Sequence, residues 1–290
     1  KVQHPTIVHF EGFSFNDLQG RNGITLFIDY IERGTLADIL LQESKGLLPH
    51  EFDNTNRQII LIGISRGMMI LHKKNIINRD LKPENVLIDN DFKPLITDFG
   101  LSKVFSNKNS LSQSEFMTGT YAYMAPEFIE ENHFDTKADV YAFGILMYEV
   151  VTGKRAIDNM IKNNEFNLKK FMDFIINGGR PTFDSSEKIK PGLRRMIEQC
   201  WKNNPDDRPT FSEIFSKLSL NGGDFYIDSD NNICESIIKY DFDEKEDIDQ
   251  LSLDTYYCFD YVDKNEIIEY VDEIKEETNS GNISIEDFKS

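Results

Sequence analysis

Cysteine is scarce in this chain: Cys200, Cys234 and Cys258 are the only three among 290 residues. They form no C-x-x-C pair and their number is odd, which excludes a disulfide framework and a structural zinc site. Buried, inert thiols in a reducing compartment are the expected outcome, with the cytoplasm as that compartment. Long apolar runs are also missing. The best of them, such as Ile59–Ile64 and Ala142–Met147, fall far short of the roughly 18 residues that a membrane span needs, so no segment is expected to cross a bilayer. Basic residues are few beside acidic ones, 32 against 50, for a net charge of −18. A surface for nucleic acid or anionic membrane needs clustered Lys and Arg, so neither is an expected partner. Residue 1 is Lys and no secretory signal pattern follows it, so the chain is expected to be a piece of a longer protein.

What is present describes a folded protein. Hydrophobic residues at 39% and charged residues at 28% suit a large core and exclude a disordered or collagen-like chain. The acidity is local, because residues 221–290 hold 21 acidic and five basic side chains while residues 1–220 are nearly balanced. A boundary is therefore expected at Asn221-Gly222-Gly223, between a folded domain over 1–220 and an acidic tail over 221–290. The tail clusters aromatics at Tyr256, Tyr257, Phe259 and Tyr261, and Ile267, Val271 and Ile274 recur at helical spacing. These predict a short helix near 265–275. A lone helix of that length is unstable in water, so two readings stand: docking on a partner or on its own domain, or a solvated tail.

Within 1–220, the apolar runs Thr6–Phe10 and Ile24–Ile31 flank a polar segment with Gly20 and Gly23 and predict two strands and a turn. After Asp53, Ile60, Ile64, Met68 and Leu71 share one helical face. Val86–Ile88 and Leu95–Thr97 flank Asp89, Asn90, Asp91 and Pro94 and predict a hairpin. Asp139–Val151 is apolar nearly all round and stops at Gly153, as a helix buried on every side would. Thr210 and Glu213 form a capping box ahead of a last helix. The histidines His4, His9, His50, His72 and His133 lack metal-ligand spacing, so surface or strand positions are expected for them.

The chemistry lies between Ile76 and Glu127. Asn78-Arg79-Asp80-Leu81-Lys82-Pro83-Glu84-Asn85 precedes Asp98-Phe99-Gly100, and the hairpin between them brings the two aspartates to one place. Phosphoryl transfer from ATP needs a carboxylate to orient a hydroxyl, a cation on the moving phosphate and hard oxygen ligands for magnesium. Asp80 fits the first role, Lys82 the second, and Asn85 with Asp98 the third.

On these motifs the chain resembles the eukaryotic protein kinases over residues 1–220. Ala125-Pro126-Glu127 closes the segment opened by Asp98-Phe99-Gly100, and Gly119-Thr120-Tyr121-Ala122-Tyr123-Met124 leads into it as in that family. Asp139–Gly144 and Cys200–Thr210 are similar to the tyrosine-kinase-like branch. The resemblance implies an α+β fold: a partial N-lobe antiparallel sheet with hinge over 1–31, then a mainly helical C-lobe over 32–220. It also implies a Glu127–Arg208 pair and a hydrogen bond from Asp139 to the catalytic loop. ATP and magnesium are the implied cofactors. Ile28 would be the gatekeeper, backbone groups of Asp29 and Ile31 would meet adenine, and Leu87 would lie below the ring. Lys82 two residues after Asp80 is similar to serine/threonine kinases, where it also meets Thr120. Protein substrates follow, and phosphorylation at Ser106, Ser110, Ser112, Ser114 or Thr118 is an open set, with Arg79 and Lys103 as phosphate partners.

Two departures stand out. No G-x-G-x-x-G and no V-A-I-K-like run occurs in the chain, so the family's glycine-rich cover, third-strand Lys and following-helix Glu would all precede Lys1. The chain as given is expected to bind ATP weakly. Asn78 occupies the usual position of His. The expected function is transfer of the γ-phosphoryl group of ATP to protein Ser or Thr; the alternative is a non-catalytic kinase-like interaction module.

Overall fold

Strand pairing opens the fold. In a computed structural model, β1 (Phe10–Asn16) and β2 (Asn22–Ile28) run antiparallel, with Phe13 opposite Leu26 and Ser14 opposite Thr25. The structure describes residues 4–16, 22–47, 52–98, 118–131, 134–161, 167–185, 187, 189–220, 224–225 and 227. All belong to the first of two compact units, residues 1–255. The expected first strand, Thr6–Phe10, lies elsewhere in the fold. Phe13 and Phe15 alternate with Ser14 and Asn16 at the strand period, whereas Thr6, Ile7 and Val8 are buried against the second hairpin. There the Ile96 N–H donates to the Thr6 carbonyl at 2.8 Å and the Val8 N–H to the Ile96 carbonyl at 3.0 Å. Strand β2 ends at Ile28 rather than Ile31, because the chain turns at Glu32–Arg33 toward Gly34, whose φ of 83° is in the left-handed region.

Helix α1 (Leu36–Ser44) starts at a capping box in which the Asp38 N–H donates to Thr35 Oγ1 and the Thr35 N–H to Asp38 Oδ2. Helix α2 (Asn54–Lys73) is capped by Asp53, whose carboxylate accepts the N–H groups of Thr55 and Asn56. The expected stripe of Ile60, Ile64, Met68 and Leu71 is buried along its whole length. At such positions each large aliphatic side chain contributes roughly 1.5–3 kcal/mol over exposure. Gly67 permits the closest approach on this helix, since a Cβ there would lie 2.6 Å from Thr6 Oγ1 and 2.7 Å from Ile96 Cδ1. This is how Thr6 and the second hairpin seat on α2. That hairpin pairs β3 (Val86–Ile88) with β4 (Pro94–Ile96), one residue earlier than expected on its second strand.

The rest is helical. After a 3-10 turn at Thr118–Tyr123 come α3 (Pro126–Glu131), α4 (Thr136–Thr152), α5 (Ala156–Met160), α6 (Leu168–Ile176), α7 (Pro191–Cys200) and α8 (Phe211–Leu220). Helix α4 begins three residues before Asp139, because Asp135 caps it through the N–H groups of Lys137 and Ala138. Residues 138–150 of α4 are all buried, and Gly153 ends it at φ 65°. Helix α4 packs on α2 and α7, and α2 on α8, so the apolar sequence of α4 is that of a central helix. The box formed by Thr210 and Glu213 caps α8 as expected. Packing continues past the boundary expected at 221: Phe225 and Ile227 touch the core, and the Ile227 N–H donates to Gln58 Oε1. The expected tail helix at 265–275 lies outside the described residues, as do Lys103 and the candidate phosphosites Ser106, Ser110, Ser112 and Ser114. A small antiparallel sheet and a mainly helical remainder make the fold α+β, with the division into N-lobe sheet and helical C-lobe that the sequence implies.

Candidate active site

The end of α2 delivers the catalytic loop. Asn75 takes φ 57°, and the Ile76 N–H closes back on the Leu71 carbonyl at 2.9 Å, a left-handed stop that suits Asn. The chain then turns under α4. Buried Asp139 accepts the N–H of Asn78 at 2.8 Å with Oδ2 and that of Arg79 at 2.9 Å with Oδ1. His72 Nε2 lies 2.8 Å from the same carboxylate. This residue was expected at a surface or strand position; the structure makes it part of the loop's support. Helix α4 thus holds the loop through its one buried acidic side chain facing this way, and Arg79 is kept at φ 68°.

On this base Asp80 gathers the donors. Lys82 Nζ lies 2.9 and 2.7 Å from its two carboxylate oxygens, and Asn85 Nδ2 donates to Oδ2 and to the Asp80 carbonyl, both at 2.8 Å. The 3-10 turn Pro83–Asn85 leads straight into β3, so Asn85 is fixed by the hairpin as well as by Asp80. The Thr97 N–H donates to the Asn85 carbonyl at 3.0 Å, which places the next residue, Asp98, beside Asn85. Asp98 sits at the exit of β4 with φ 55°. Its carboxyl is raised above the ordinary range, chiefly by loss of water around it and then by the charge of Asp80, with Lys82 opposing.

Two carboxylates that repel each other, Asp80 and Asp98, suit a hard divalent cation. Asn85 spends its Nδ2 on Asp80, and its Oδ1 is a hard oxygen of the kind magnesium takes. These residues fit magnesium.

The residues expected to meet adenine lie between the end of β2 and the turn before α1, with Leu87 on β3. Ile28 ends β2, the Asp29 N–H donates to the His9 carbonyl at 3.2 Å, and the Ile31 carbonyl accepts the Gly34 N–H at 3.3 Å. Among the described residues the Asp29 carbonyl and the Ile31 N–H have no backbone hydrogen-bond partner. Leu87 joins this stretch through a bridge to Thr35. His9 also draws Glu11 and Asp29 together, at 3.2 and 3.6 Å, although spacing along the chain gave no sign of that cluster. The expected contact between Lys82 and Thr120 involves a side chain outside the described residues.

Beyond the loop, Glu127 and Arg208 pair bidentately at 2.6 and 2.7 Å, as the resemblance implied. The family description that matches residues 1–218 is that of the protein kinase domain. The chain belongs to this family. Curated relatives agree with the assignment of this kinase chain. A cysteine-rich receptor-like protein kinase 18 of Arabidopsis thaliana is 32% identical over 236 residues, 76% of this chain and 34% of its own length. The serine/threonine-protein kinase VIK of the same plant is 35% identical over 224 residues, 75% of this chain and 47% of its own length. The LRR receptor-like serine/threonine-protein kinase SIK1 of Oryza sativa subsp. japonica is 33% identical over 220 residues, 73% of this chain and 22% of its own length. The kinase chain therefore spans less than half the length of these relatives. Among the described residues no helix is long and apolar enough to cross a membrane.

One buried acid next to the site is missed by sequence reasoning. Glu149 of α4 accepts the Tyr123 hydroxyl at 2.5 Å and the Ala156 N–H at 2.7 Å, tying the Thr118–Tyr123 turn to the helical core. Burial pushes its carboxyl up to about 7 from an ordinary 4.5, against the two hydrogen bonds. The folded state therefore binds this proton more tightly than the unfolded state, so stability falls as pH rises through that window and the full penalty stands above it. Glu149→Gln keeps an acceptor for Ala156 and removes the charge. It is expected to melt above the parent by roughly 5–10 °C at about pH 8, from a penalty of order 3 kcal/mol, with the lead shrinking toward about pH 5. Thermal melts across that range check it, and equal melting temperatures at the alkaline end would show that Glu149 is solvated.

Proposed function

We propose that this kinase domain transfers the γ-phosphoryl group of ATP to serine or threonine hydroxyls of protein substrates. The observation that carries the reading is the convergence of Lys82 and Asn85 on the Asp80 carboxylate, with Asp98 beside them. Asp80 orients the substrate hydroxyl and takes its proton. Lys82 neutralises charge on the transferring group, which in a site depleted of water is worth far more than in solution. Ile28, Asp29, Ile31 and Leu87 form the adenine edge. Asn85 and Asp98 would hold magnesium, which supplies charge neutralisation on the phosphate oxygens when bound.

The choice of serine and threonine is supported by Lys82 two residues after Asp80 and by the names of the rice and Arabidopsis relatives. We take 1–220 as the catalytic domain and 221–290 as an acidic segment whose Phe225 and Ile227 still pack on it. A cytoplasmic site of action follows from the thiol usage. The test is incubation of the full-length protein with γ-labelled ATP, magnesium and a mixed peptide pool, followed by phosphoamino-acid analysis. Phosphoserine and phosphothreonine are expected; phosphotyrosine alone, or no transfer, would overturn the reading. A non-catalytic interaction module is the second reading, favoured by the half-unpartnered amide of Asn78 buried under the loop. It predicts no transfer to any hydroxyl.

A further inference from the structure

The turn that carries Asp80 is strained. Arg79 at φ 68° occupies a region that a long L side chain enters only at an energetic cost, of order 1–3 kcal/mol. Asp139 restrains the first two N–H groups of the turn, those of Asn78 and Arg79, and does not reach the third. The third belongs to Asp80 itself. It donates at 3.1 Å to Asn78 Oδ1, so the side chain two residues back fixes the backbone from which the carboxylate projects.

Holding Asn78 there is unfavourable for the fold. The residue is 1% exposed, and among the described residues its Nδ2 has no hydrogen-bond acceptor. A buried orphan amide costs about 1–3 kcal/mol, and an apolar residue of the same shape would avoid that penalty. The one end of the amide that is used points at the reacting loop. We propose that Asn78 is a positioning residue for Asp80, aligning its carboxylate for the hydroxyl at the expense of stability. The proposal rests on the base role of Asp80 given above. The charged and titratable groups around the amide are Asp139 of α4, His72 of α2 behind it, and Arg79 and Asp80 within the turn.

Asn78→Leu keeps the branched shape, with somewhat more volume in its two methyl groups, and removes the acceptor. In the full-length protein it is expected to lower kcat about 10- to 100-fold, the range that a small misplacement of a reacting group produces, with KM for ATP and peptide within about twofold. Its melting temperature should stay close to that of the parent, because the orphan amide is removed while the Asp80 N–H loses its acceptor. Asn78→His supplies the rescue, because imidazole Nδ1 stands where Oδ1 stood and accepts the Asp80 N–H only while the ring is neutral. Its kcat is expected to return to within about threefold of the parent near pH 8 and to fall below about pH 6.5 in a titration that the parent lacks. A leucine variant that keeps its kcat, or a histidine variant no faster than the leucine one near neutrality and above, would overturn the proposal. Should the leucine variant not fold, the pH profile of the histidine variant decides alone. Absence of transfer from the unsubstituted protein would sink the catalytic reading and this proposal with it.

Discussion

Asp80→Asn is expected to lower phosphoryl transfer by about 10²–10⁴-fold, the usual worth of a positioned general base, with little change in melting temperature. The carboxamide keeps an oxygen for Lys82 or Asn85 but has no basic site for the hydroxyl proton. Stability should hold because the Asp80–Lys82 pair is partly open to solvent, at 26% and 17% side-chain exposure, and such pairs contribute at most about 1 kcal/mol. Single-turnover rates with saturating ATP, paired with thermal melts, separate the two quantities. An unaffected rate would remove Asp80 from the base role, and a lost fold would show that the Asp80 carboxylate supports the loop rather than the reaction.

The segment proposed to carry the chemistry was legible as a cluster because it is local. Asp80, Lys82 and Asn85 lie within six residues, and one short hairpin carries the chain to Asp98, so spacing along the sequence nearly fixes spacing in the structure. Helices α2 and α4 were legible for a related reason, since burial on one face or on all faces writes a periodic pattern. The support of the site was harder to read. His72 and Asp139 are 67 positions apart, and nothing along the chain joins them. A signal was present in α4, where a carboxylate in an otherwise apolar helix requires partners once buried; the partner's identity depends on how α2 and α4 cross. Arg180 is a similar case, because from the loop after α6 it bonds the carbonyls of Trp201 and Ile175. The first strand failed for another reason. Thr6–Phe10 and Phe10–Asn16 are both strand-like in composition, and the choice between them was made by Gly67, whose missing side chain admits Thr6 and Ile96 to α2.

The second large effect concerns Arg208. All five of its N–H groups are used: two on the Glu127 carboxylate, and one each on the carbonyls of Lys202, Lys137 and Asn203. Its side chain is fully buried and its guanidinium lies 5.3 Å from the Tyr141 ring. Arg208→Ala is therefore expected to cost about 3–5 kcal/mol, because it leaves Glu127 as a buried charge without its partner and frees three backbone carbonyls. For a domain of this size that is a fall of about 6–20 °C in melting temperature. Glu127→Gln should be milder, since the amide oxygen still accepts from one side of the fork while the carbonyl bonds of Arg208 persist. Glu127 is the second residue of α3, which follows the Thr118–Tyr123 turn and Met124-Ala125, so the pair fixes that stretch to the helical lobe. Loosening it should raise KM for peptide before it alters KM for ATP, whose proposed contacts, Ile28, Asp29, Ile31 and Leu87, lie on other elements. Melts of Arg208→Ala that match the parent within error would show the pair to be dispensable to the fold, and an equal rise in both KM values would show that its loss is global rather than confined to the substrate side.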